Sequence, residues 1–81
     1  MAIHEMPLTL AGTNQTVTIS GFRGGFGLQR RLSDMGFTPG GKIKIISREP
    51  NGPMLVELRG SRLALGRGVA HHILVEVTPD G

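Results

Sequence analysis

Apolar and polar residues alternate in several short runs along the chain. Thr16-Val17-Thr18-Ile19-Ser20 and Lys42-Ile43-Lys44-Ile45 alternate strictly, and Ile46 adds an apolar residue on the second face. Met54, Val56 and Leu58 share one side of the next run, and Leu63 and Leu65 share one side of the run that begins at Ser61. Ile73, Val75 and Val77 do the same near the end. A period of two in Val- and Ile-rich segments marks strands with one buried face. A further short strand is expected around Leu8 and Leu10.

The period changes once. Leu28, Leu32 and Met35 recur at i, i+4 and i+7, one stripe of a helix, which predicts a helix over about Gly27–Met35. Gly36 then suits the left-handed C′ position, and Phe37 follows at C″, able to pack back on Leu32. Thr38-Pro39-Gly40-Gly41 fits a type II turn. The remaining connections are Glu49-Pro50-Asn51-Gly52-Pro53, where Asn-Gly tolerates positive φ, and the tighter Arg59-Gly60-Ser61. Arg67-Gly68-Val69-Ala70 breaks the alternation and predicts a short helical turn near Gly66–His71. The tail Thr78-Pro79-Asp80-Gly81 is expected to fray.

Five or six short strands with one inserted helix, in 81 residues, describe a small, mainly β barrel formed as a single domain over residues 1–81. Composition narrows the chemistry. With no cysteine, disulfides, thiolate metal sites and cysteine nucleophiles are excluded. A net charge of +3 permits contact with an acidic protein face, anionic lipid or nucleic acid, and selects none of them. There is no Trp or Tyr to offer stacking platforms, so nucleic acid is not the expected partner. The N-terminus lacks the basic start and apolar block of a signal peptide, and no run is long enough to span a bilayer.

Motif by motif, catalysis finds little support. Gly36-Phe37-Thr38-Pro39-Gly40-Gly41-Lys42 matches the first part of a phosphate-binding loop, but Ile43 stands where a Ser or Thr would hold magnesium. The order helix, turn, strand is also the reverse of what that loop needs. Gly21 to Gly27 joins a strand to a helix without dinucleotide-binding spacing. No Ser, His and acid can be grouped, and the expectation is a non-enzyme. The metal candidates are His4, His71 and His72; the last two, read as strand neighbours, would point to opposite faces. Arg59, Arg62 and Arg67 cluster along the last hairpin as a second basic patch.

Leu32-Ser33-Asp34-Met35-Gly36-Phe37-Thr38-Pro39-Gly40 resembles the core motif of FeoA-type proteins. The Glu49–Pro53 turn is similar to that family's proline-flanked turn, and Gly60 to Ala70 resembles its next segment, with about residues 7–77 in register. The resemblance implies an SH3-like barrel and a cytoplasmic, non-enzymatic accessory protein of bacterial ferrous iron uptake. The implied partner is the FeoB-type membrane transporter, which carries a GTPase domain, so the protein would sit at the inner face of the cell membrane through that partner. No cofactor is required by the resemblance, though weak ferrous iron or zinc binding and weak self-association are open to such a barrel. The alternatives are a small basic barrel for nucleic acid and a metal-sensing SH3-like domain related to iron-dependent repressors. On the helix, Leu32 and Met35 are assigned to the core, and Phe26, Leu28, Arg30 and Arg31 to the partner face.

Overall fold

A computed structural model describes residues 5–77. His4 and the tail from Thr78 lie outside them. The elements are β1 (Glu5–Pro7), a 3-10 turn (Leu8–Leu10), β2 (Thr16–Phe22), α1 (Phe26–Asp34), β3 (Lys42–Arg48), β4 (Met54–Leu58), β5 (Ser61–Leu65), α2 (Arg67–His71) and β6 (Ile73–Val77). The six strands make one antiparallel sheet in the order β1-β6-β2-β3-β4-β5.

Two register shifts bend the sheet. Ile19 faces Val75 and Gly21 faces Leu74, which leaves Ser20 as an extra residue on β2; Ile46 is the extra residue on β3. A bulge of this kind increases twist and lets a strand turn a corner. The inward residues of β2 to β6 therefore meet in one cluster around Val17, Ile19, Ile43, Ile45, Val56, Ile73 and Val75. Leu8, Leu32, Phe37 and Ala70 close it from the connecting segments. No polar or charged residue is buried among the described residues, so the interior is an apolar plug.

The strand expected at Leu8 and Leu10 is instead displaced. Pairing ends at Pro7, and Leu8 to Leu10 turns in a 3-10 coil that buries Leu8 and leaves Leu10 64% exposed. An alternating strand would have sent both to the same side. Arg48 reaches back across the sheet and donates to the carbonyls of Thr9 (2.8 Å) and Ala11 (2.9 Å), holding that segment against β3. In the Glu49–Gly52 turn neither Asn51 nor Gly52 takes positive φ. Pro50 occupies the second position, as a type I turn favours, and Gly52 N–H closes it on Glu49 C=O. In the β4–β5 loop it is Arg59 that takes positive φ (53°), with Gly60 at 82°, which is the type I′ geometry of a two-residue hairpin loop.

Candidate interaction surface

Helix α1 joins β2 to β3 and is fastened at both ends. At its start, the loop Arg23–Gly25 is pinned to the end of α2: Arg23 N–H donates to His72 C=O at 2.8 Å. Gly24 has φ 98°, and a Cβ there would stand 2.9 Å from Cδ2 of His72, so the imidazole lies flush on bare backbone. The ring is itself held by its Nδ1, 2.8 Å from Gly68 C=O. A carbonyl only accepts, so Nδ1 carries the proton. At the other end, Gly36 N–H donates to Ser33 C=O (2.9 Å) and Phe37 N–H to Leu32 C=O (2.9 Å). These are the paired bonds of a Schellman stop, with Gly36 at φ 102° in the C′ position.

That stop decides which side chains face in. The chain wraps back so that Phe37, fully buried, joins Leu32 in the core cluster. Met35, assigned to the core from its spacing, is left 49% exposed: it caps the helix after Asp34, and Phe37, beyond the stop, is the residue that is buried. Leu28, assigned to the partner face, is half-buried and packs on the core, since it stands one turn before Leu32 on the same stripe.

The outer face of α1 is carried by Phe26, Gln29, Arg30 and Ser33, at i, i+3, i+4 and i+7. They line a shallow depression of about 370 Å³. Phe26 is 89% exposed, the most exposed large apolar side chain among the described residues. Arg30, and Arg31 on its flank, are exposed, and their guanidinium groups make no ion pair or hydrogen bond with another described residue. An aromatic ring held in water beside the free guanidinium group of Arg30, with that of Arg31 further round the helix, is suited to an acidic surface with an apolar spot. Gln29 and Ser33 escaped the sequence reading. Their signal was the same helical spacing, read on the side away from the leucines.

The other candidates fall elsewhere. His71 and His72 do not sit on a strand: His71 ends α2, His72 caps it, and their rings stand edge to face at 6.1 Å. Among the described residues no group of three His, Cys, Asp or Glu could hold a metal ion. Arg59, Arg62 and Arg67 do not form one patch. Arg59 and Arg62 flank the Leu58↔Ser61 end of the hairpin, and Arg62 pairs loosely with Glu57 at 3.9 Å. Arg67 follows the opposite end, where Leu65 faces Met54, and donates to Pro50 C=O.

A family model described as the FeoA domain matches residues 6–77. The chain belongs to the FeoA domain family. A relative from Methanocaldococcus jannaschii named "Putative Fe(2+) transport protein A" is 40% identical over 70 residues, covering 86% of this chain and 84% of the relative. The solution structure of an FeoA-like protein from Clostridium acetobutylicum superposes with a TM-score of 0.85 at 29% identity, over 100% of this chain and 94% of that one. FeoA of Stenotrophomonas maltophilia, solved in complex with zinc and described as a procaryotic SH3 domain protein, superposes with a TM-score of 0.75 at 23% identity, over 86% and 88% of the two chains. The fold of this FeoA-family chain is thus the SH3-like barrel expected from its resemblance, with α1 as the insertion that carries the exposed face.

Proposed function

We propose that this FeoA-family chain serves ferrous iron transport as a non-enzymatic binding module. Its partner would be the cytoplasmic part of an FeoB-type membrane transporter, met by the outer face of α1. The observation that carries this reading is Phe26, 89% exposed at the start of a helix pinned at both ends and flanked by Arg30 and Arg31. Burying a Phe side chain stabilises a complex by about 1.5–3 kcal/mol, so leaving it in water is costly unless a partner covers it. The family match and the ferrous iron transport name of the archaeal relative support the process. No described helix is long and apolar enough to cross a membrane. On this reading the chain meets the inner face of the membrane through its partner.

The module acts by differential affinity. A surface that fits one state of the transporter better than another shifts the balance toward that state. Phe26 supplies contact area, and the arginines select an acidic face and fix orientation. Titrating the isotope-labelled chain with the transporter's cytoplasmic domain should move the amide signals of Phe26, Gln29, Arg30 and Ser33. Shifts confined to the far side of the barrel, or none at all, would rule this face out.

A further inference from the structure

A second concave feature lies away from α1. A cleft of about 290 Å³ opens between the 3-10 turn and the loop after it, the β3–β4 turn and the start of α2. Its walls carry Thr9, Thr13, Arg48, Glu49, Met54 and Arg67. Both guanidinium groups are fixed by backbone: Arg48 by the carbonyls of Thr9 and Ala11, Arg67 by that of Pro50. A guanidinium has five N–H donors. Arg48 spends two on those carbonyls and keeps three, and Arg67 spends one and keeps four, none of them taken by another described residue. Arg48 bonds the two carbonyls through Nη1 and Nη2, so its Nε–H is among the donors left for the charge-assisted contacts that oxyanions favour.

Glu49 sets the charge. It lines the same cleft but makes no ion pair with either arginine; its Oε2 is turned over Gly52, 3.8 Å from where a Gly52 Cβ would stand. Two positive charges and one negative leave the cleft with one unmatched positive charge. A monoanion neutralises it. A phosphate dianion would overshoot beside Glu49, at a cost that grows as water is excluded.

We propose that this cleft binds a single carboxylate, carried either by a small organic acid or by an acidic residue of a peptide. The carboxylate would take the N–H donors that Arg48 keeps, with Arg67 as the second cation and Glu49 rejecting more highly charged anions. No residue of the site is shared with the α1 face, so the two proposals stand or fall separately.

The test is a titration of the labelled chain followed through its backbone amides and arginine Nε–H signals. The probes are acetate, the capped tripeptide acetyl-Gly-Glu-Gly-amide, and inorganic phosphate at pH 8, where it is mainly a dianion. Saturable shifts at Arg48 and Arg67 are expected with both carboxylates, and weaker binding with phosphate. Tighter binding of the tripeptide than of acetate assigns the peptide source; equal binding assigns the small acid. Arg67→Gln should weaken carboxylate binding about tenfold, the loss of one charge-assisted contact. Glu49→Gln should raise phosphate affinity more than carboxylate affinity. Both variants leave the Arg48 brace intact, and a dispersed amide spectrum confirms that they fold. Shifts that never saturate, phosphate bound as tightly as carboxylate by the wild type, or affinity unchanged in Arg67→Gln would each overturn the proposal.

Discussion

Substituting Gly24 with Ala strikes the joint that presents α1. The cost has two sources. An L-residue at φ 98° is strained, by about 1–2 kcal/mol for a left-handed backbone. The new Cβ would also stand 2.9 Å from Cδ2 of His72, closer than carbon atoms pack, so the imidazole must swing away. That motion breaks the Nδ1–H···O=C bond to Gly68, worth about 0.5–1.5 kcal/mol. The expected destabilisation is about 2–3 kcal/mol, a large share of what a domain this small possesses. A double-mutant cycle by urea denaturation separates the two sources. In a His72→Ala background the collision is gone, and Gly24→Ala should cost only the backbone strain. The coupling between the two positions should be about 1 kcal/mol. Costs that add to within about 0.3 kcal/mol would refute the reasoning, because His72 would then not be the obstacle.

Two further outcomes follow from the same geometry. Arg59→Asn should raise stability by about 0.5–1 kcal/mol, read as a higher urea midpoint at unchanged slope, because Asn tolerates the positive φ that the type I′ loop imposes. Leu32→Ala should cost about 2–5 kcal/mol, whereas Met35→Ala should fall within about 0.5 kcal/mol of wild type; comparable losses at the two positions would contradict the wrapped helix stop.

Strand identity was legible because the signal is local. Val17 and Ile19, Ile43 and Ile45, or Ile73 and Val75 each announce an inward face by alternation alone. The helix stop was legible for the same reason: Gly36, Phe37 and Pro39 act within a few residues of one another. What failed depended on competition between residues. Spacing puts Met35 on the inner stripe, but the helix stops there, and Phe37, from beyond the stop, is the residue that enters the core. Spacing also cannot tell how deeply Leu28 sits on that stripe; the structure half-buries it against the core. Long-range bonds were out of reach altogether. Nothing near Arg48 in the sequence signals that it braces carbonyls 37 and 39 residues away, or that Arg67 lines the same cleft. The histidine pair was misread by one element: on a strand the rings diverge, but at the end of α2 they meet.

The central claim is that the outer face of α1 is the handle by which the transporter holds this chain. The most direct measurement is the affinity of the chain for the transporter's cytoplasmic domain, by calorimetry, for wild type, Phe26→Ala and Arg30→Glu. Both side chains are exposed, so both variants should keep the wild-type urea midpoint. Phe26→Ala is expected to weaken binding by about 2 kcal/mol, roughly thirtyfold, and Arg30→Glu by at least tenfold with a reduced dependence on salt. Wild-type affinity in both variants, with their stability intact, would contradict the account.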